Sequence, residues 1–369
     1  DKLAPEIVAQ RADTTPERLL AWESGKEWPT FDEARSLANA LRVPFGFLFL
    51  SRPPRDTPAL PDLRTVAGEP VRTPGPELRD VLHDALEKQH WMKEHRREEG
   101  WGPLPFVGKY SLAAEPEVVA ADIAATIGIN DELRERGRRE DFLGRLTVRA
   151  EGVGVLVLRS AVADGDNRRP LNVSEFRGFA VIDELAPLVF VNTSDAATAQ
   201  VFTLLHELAH IWLGKSGISN PNYSSPVAAS NTVEQVSNKI ATEVLLPKVQ
   251  FLTRWKKSEP IAANLRQLSA SFRVSELVVL RQAYDHGLIA NSTYRRTYSQ
   301  FMGRGKRAKP KTGGHFYNTL LARNSPTLTT TLISTLAEGR VGHRDAARLL
   351  NIPIGTLDGV RKYVIGGAE

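Results

Sequence analysis

The 369-residue chain contains no cysteine. That excludes disulfides and cysteine-ligated zinc, and it fits a reducing compartment. No apolar run approaches the roughly 20 residues that span a bilayer, and no secretory pattern opens the sequence. The expected compartment is therefore the cytoplasm, with no membrane partner. No G-x-S-x-G elbow is present, which leaves a Ser-His-Asp hydrolase without support. Nor is there a glycine loop of the kind that cradles phosphates, or an internal repeat. Charge is not extreme in either direction: 48 Lys and Arg stand against 43 Asp and Glu, a formal net charge of +5. This balance permits a nucleic-acid partner without demanding one. The sequence opens at Asp1 rather than at methionine, so a preceding segment is expected, either removed or simply lying outside this sequence.

What is there is the composition of a soluble globular protein, 41% hydrophobic and 25% charged. The length exceeds one ordinary core and predicts two or three domains. Residues 1–52 read as short amphipathic helices, "PEIVAQRA", "TPERLLAWESG" and "TFDEARSLANALR", the last with Thr30 as its N-cap. Residues 53–76 are proline-rich and read as a linker. A main region, 77–302, opens with a long helix over 77–99, followed by helices at 117–127 and 139–152. Three strand-like segments come next: "VGVLVLRS", "FRGFAVID" and "PLVFVNT". "DELA", between the last two, reads as a hairpin turn. Then come a helix bearing "TLLHELAH", a polar loop "KSGISNPNYSSPVAASN" and a helix "TVEQVSNKIATEVLLP", with more helix over 248–300. Residues 303–314 form a basic connector, and 315–369 a small helical cap.

The segment "HELAH" carries chemistry. Residues four apart on a helix share a face, so His206 and His210 can direct two imidazoles at one ion. Glu207 stands beside them, placed to serve as a general base. The bland alternative is a pair of packed histidines. However, Leu204, Leu205, Leu208, Ile211, Trp212 and Leu213 would bury this helix, and buried imidazoles need partners. Catalytic zinc sites generally take three protein ligands plus water. The third is sought on the next helix, where Val233, Val236, Ile240 and Val244 form the expected apolar face. Glu234 and Glu243 flank that face on opposite sides, so only one can look at the histidines. Ser237 and Ala241 beside Glu234 permit close helix approach and favour it. The other histidines, His83, His90, His95, His286, His315 and His343, lack this spacing and read as surface or packing residues.

"FTLLHELAHIWLG" followed by "VEQVSNKIATEVLLP" resembles the ImmA/IrrE metallopeptidases, over roughly residues 150–300. The resemblance aligns their ligating glutamate with Glu234 and a following asparagine with Asn238. It implies a zinc site of His206, His210 and Glu234 with Glu207 as base, manganese being the second candidate ion. The first 50 residues, with "WESGKEWPT", resemble an XRE-type helix-turn-helix whose first helix would precede Asp1. The implied fold is α+β and mostly α: a helix-turn-helix bundle, a zincin-like domain with a small sheet, and a C-terminal helical domain.

In that reading Thr14, Thr15 and Arg18 face DNA bases and Lys26 touches phosphate. Asp13, Glu17, Glu23 and Glu27 weaken the basic character, so a protein-binding helical module is the alternative. Two functions of different class follow. One is a zinc endopeptidase making a limited cut in a protein substrate, by resemblance an XRE-type transcriptional repressor of stress or mobile-element genes. The other is a DNA-binding regulator whose peptidase-like domain serves as a sensor. A homodimer is compatible with both.

Overall fold

The computed structural model describes residues 5–41, 45–49, 74–135, 141–219, 232–303 and 315–366. The expected linker lies outside the described residues over 53–73, as does the expected connector over 304–314. The protein is mostly helical with one small sheet, an α+β architecture. It divides into two compact units, Asp1–Leu60 and Pro61–Glu369.

The first unit holds α1 (Pro5–Arg11), α2 (Pro16–Glu23), α3 (Phe31–Leu41) and a 3-10 turn, Phe45–Phe49. α1 packs on both α2 and α3 around Val8, Ala9, Ala12, Leu19 and Ala38. α3 starts with a capping box: Glu33 N–H donates to Thr30 Oγ1 at 3.4 Å, and Thr30 N–H donates to Glu33 Oε2 at 2.9 Å.

The second unit opens with α4 (Pro76–Glu98), α5 (Pro116–Thr126), α6 (Asp131–Glu135) and α7 (Phe142–Gly152). The sheet follows, with β1 (Leu156–Ser160), β2 (Gly178–Val181) and β3 (Leu188–Asn192). α8 (Ala197–Leu213) and β4 (Gly217–Ser219) complete this core. The strand order is β1-β3-β2-β4, with β1 parallel to β3 and β2 antiparallel to both β3 and β4. β4 lies within the stretch expected to be loop. It pairs through only three residues, too few for a period-two pattern to register. Asp183 makes the β2–β3 turn by accepting from Leu185 and Ala186 N–H groups.

Side chains alternate across the sheet. Val157, Ala180, Val189 and Val191 join the core with α8, while Phe179 and Phe190 stack at 5.0 Å on the other face. α4 packs along β3, and its buried Arg96 donates to the carbonyls of Gly154 and Leu185 at 2.8 and 2.6 Å.

The remaining helices are α9 (Thr232–Leu245), α10 (Lys248–Arg254), α11 (Ile261–Phe272), α12 (Glu276–Asp285) and α13 (Asn291–Gly303). After them come α14 (Phe316–Asn324), α15 (Pro326–Ala337), α16 (His343–Leu349) and α17 (Leu357–Gly366). α14 packs along β1. Buried Glu151 joins this corner: Oε1 accepts from Val157 N–H, and Oε2 accepts from the N–H and hydroxyl of Thr327. One carboxylate thereby satisfies an edge-strand donor and the first turn of α15.

Candidate metal centre

α8 is buried along almost its whole length, including Leu204, Leu205, Leu208, Ile211 and Trp212 at 0% exposure. His206, Glu207 and His210 lie in this interior at 0, 0 and 1%. α9 crosses α8 and brings Glu234, 6% exposed, over the two imidazoles. The buried stripe of α9 is Glu234, Ser237, Ile240, Ala241 and Val244. It is rotated from the expected one, since Val233 and Val236 are only half-buried. The small Ser237 and Ala241 let the helices close, and that rotation turns Glu234 inward. Glu243 faces elsewhere, lining a cavity of about 430 Å³ with Glu117 and Asp131.

The three donors converge. Glu234 Oε2 lies 3.2 Å from His206 Nε2, Glu234 Oε1 lies 3.1 Å from His210 Nε2, and the two Nε2 atoms are 3.1 Å apart. Among the described residues this is the group of three or more potential ligands that could hold a metal ion. Tetrahedral zinc with bonds of roughly 2.0–2.1 Å places its ligand atoms about 3.3 Å from one another. The donor set therefore fits a divalent ion in both chemistry and spacing.

Electrostatics agree. Burial pushes the Glu234 carboxyl up, but hydrogen bonds and charge from His206 and His210 outweigh it and hold the group far below the usual range. Burial also lowers His206, against the opposing pull of Glu234. At His210 burial works downward too, but is overcome by the bond to Glu234 and the charges of Glu207 and Glu234, so its pKa is raised. A proton held there by carboxylates is one that a cation can displace.

Each imidazole is steered by its surroundings. α8 stops at Gly214, in the left-handed conformation at φ 63°. The turn brings Lys215 N–H onto the carbonyl of His210 at 3.0 Å and the Lys215 carbonyl onto His210 Nδ1 at 2.9 Å. Nδ1–H donates to that carbonyl, which leaves Nε2 to face Glu234. The segment Phe106–Tyr110 braces this end. Gly108 and Tyr110 N–H groups donate to the carbonyls of Ile211 and Trp212, and Phe106 stacks on Trp212 at 4.3 Å. A Cβ on Gly214 would lie 3.0 Å from Gly108 Cα, so close approach favours glycine at 214, whereas at Gly108 it is the left-handed φ of 64° that does. Asn238, one turn along α9 from Glu234, lies beside His206 and favours its charged form.

Glu207 is placed by a further glycine. A Cβ at Gly178 on β2 would stand 2.6 Å from Thr203 Cγ2, 2.8 Å from the Phe190 carbonyl and 2.9 Å from Glu207 Oε1. Gly178, Gly108, Gly214 and the Lys215 carbonyl were not singled out from sequence. The signal for Gly178 was a glycine inside the strand-like "FRGFAVID", which marks close approach of a neighbour.

The residues considered for DNA contact lie in the first unit. Thr15 caps α2 by accepting from Arg18 N–H at 3.3 Å. Arg18 forms an ion pair with Glu33 at 2.8 Å and lies 5.6 Å from the Trp22 ring. Thr14 is half-buried in the turn before α2, and Lys26 is exposed.

The buried His-His-Glu set between two helices beside a small mixed sheet is a candidate metal site. In agreement, residues 150–284 match the family model described as the IrrE N-terminal-like domain, a peptidase family. The matched segment contains His206, Glu207, His210 and Glu234. No curated protein matches the chain. Among the described residues, no helix is long and apolar enough to cross a membrane.

Proposed function

We propose that this protein is a zinc-dependent endopeptidase that makes a limited cut in a protein substrate. The observation that carries the reading is the convergence of His206, His210 and Glu234 within 3.2 Å, with buried Glu207 adjacent on the same helix. His206 and His210 supply neutral nitrogen ligands, and Glu234 the anionic one. Held by these three side chains, zinc would supply Lewis-acid polarisation of a water and of the scissile carbonyl. Glu207 accepts the proton of the attacking water and returns it to the departing amide nitrogen. Gly178 leaves the room that its carboxylate occupies. The burial of the set keeps bulk water from competing with these transfers.

The family match supports a peptide bond as the target. The resemblance of the first unit to an XRE-type helix-turn-helix favours a transcriptional repressor of that type as substrate, cut to release genes for stress or mobile elements. The test is Glu207→Gln. This variant should retain one zinc per chain by elemental analysis, while cleavage of co-expressed candidate repressors falls at least about 100-fold, the lower range for loss of a general base. Full cleavage by the zinc-loaded variant would overturn the assignment of Glu207. Unchanged biological activity without any cleavage by the wild type would favour a regulator that senses through this domain.

A further inference from the structure

The end of the second unit carries a joint that the peptidase reading does not use. α15, α16 and α17 pack on one another. α16 ends at Leu349, and a 3-10 turn, Ile354–Thr356, leads directly into α17. Asn351, between them, adopts φ 52°. Asparagine tolerates that left-handed conformation, which redirects the chain within a few residues. Ala346, Ala347, Leu350, Leu357 and Val360 fill the joint, none more than 4% exposed. The stretch "AARLLNIPIGTLDGV" thus sets small residues on the first helix, a left-handed residue in the turn and apolar residues on the second. This is the build of a helix-turn-helix, whose second helix enters the major groove of DNA.

Packing fixes which side of α17 is free. Leu357 and Val360 point into the core, and Tyr363 stacks on Tyr317 of α14 at 4.8 Å. The Tyr317 hydroxyl would be only 2.3 Å from a Cβ at Gly359, so that side is closed too. Asp358, Arg361 and Lys362 remain exposed, as does Arg344 on α16. None of these three cations takes part in an ion pair among the described residues. By contrast, Arg340 and Arg348 of the same bundle bind Glu99 and Glu87 at 2.7 and 3.2 Å. The joint therefore anchors some cations on α4 and its end, and leaves others beside the exposed helix.

We infer that α16 and α17 form a helix-turn-helix that binds duplex DNA, with α17 in the major groove. Arg361, Lys362 and Arg344 contact phosphates, while Thr356 and Asp358, at the start of α17, lie nearest the base edges. None of these residues belongs to the metal centre or to the first unit.

The test measures the full chain against a fluorescent random-sequence duplex of about 30 base pairs, by anisotropy across a salt titration. The wild type should bind, with affinity falling as salt rises. Arg361→Ala with Lys362→Ala should weaken binding at least tenfold and flatten the log–log salt slope by about 2, near 0.9 per lost phosphate contact. Arg18→Ala with Lys26→Ala should keep most of the affinity. Both α17 side chains are exposed, and matching thermal melts will show that the variant is folded. Absence of duplex binding by the wild type would overturn the inference. So would an α17 variant with unchanged affinity and slope, or a loss that follows Arg18 and Lys26 instead. An α17 variant that loses self-association in sedimentation while its DNA binding stays intact would assign the face to a protein contact and overturn it equally.

Discussion

The helix pairs α8–α9 and α16–α17 offer polar groups from opposite sides of the solvent boundary. At α8–α9, His206, Glu207, His210 and Glu234 are all at most 6% exposed. At α17, Arg361 and Lys362 stand in water. Burying polar groups costs several kcal/mol unless partners are supplied, whereas a solvated cation costs almost nothing to keep. Convergence of buried donors is therefore itself strong evidence of a ligand. At the surface the charges say little, and the geometry of the joint has to carry the reading. The two regions should respond differently to single substitutions: abruptly in the interior, and in salt-dependent increments outside.

The largest effect expected from this contrast is at Glu234. Glu234→Ala removes the anionic donor and leaves two buried imidazoles without their carboxylate. Zinc affinity should fall by more than about 100-fold, beyond the usual loss for an outer-sphere partner, as measured by competition with a chelator. Zinc bound at near wild-type affinity would remove Glu234 from the ligand set and weaken the contrast at its strongest point.

The interior was also the more legible region. The spacing of His206 and His210 is covalent information, and Leu204 to Leu213 announce the burial that makes it meaningful. Glu234 could be preferred over Glu243 because Ser237 and Ala241 lie on its flank, and small side chains permit close helices. The rotation of α9 was not legible, since Val233 and Val236 outweigh a serine and an alanine in any count of apolar residues. The hydrogen bond that orients His210 was hidden for a different reason: its acceptor is a backbone carbonyl, which every residue possesses, and only the left-handed turn at Gly214 aims it. The joint before α17 was read as a plain cap. Asn351 is one of many asparagines in such chains, and its φ of 52° is a property of the fold rather than of the residue. β4 escaped through its brevity.

A second, smaller effect tests whether the interior is steered by backbone as described. Gly214→Ala places a methyl group 3.0 Å from Gly108 Cα and strains a left-handed φ. The Lys215 carbonyl should lose its aim at His210 Nδ1. Zinc affinity should drop about 10–100-fold, the range for loss of an outer-sphere hydrogen bond, while far-ultraviolet circular dichroism stays native. Unchanged affinity would mean that Glu234 alone orients His210.

The smallest effect lies between the two solvents, at Asp183 and Lys93. Their side chains are 12 and 32% exposed and meet at 2.6 Å, tying α4 to the β2–β3 turn. Burial works to raise the Asp183 carboxyl, but the bond from Lys93 and the Ala186 and Leu185 N–H groups prevail and hold it below its ordinary value. A carboxyl depressed on folding contributes stability that is complete above its unfolded pKa, near 3.9, and that vanishes as pH falls through the folded one. Lys93→Ala leaves the two backbone donors in place and removes the cation together with its aliphatic stem. The variant should therefore be less stable than the wild type by about 0.5–1 kcal/mol at pH 6, and the two urea curves should converge as the pH falls through the depressed pKa of folded Asp183. A gap that persists in acid would point to lost packing of the lysine stem against the turn rather than to its charge, and would move this pair to the interior side of the comparison.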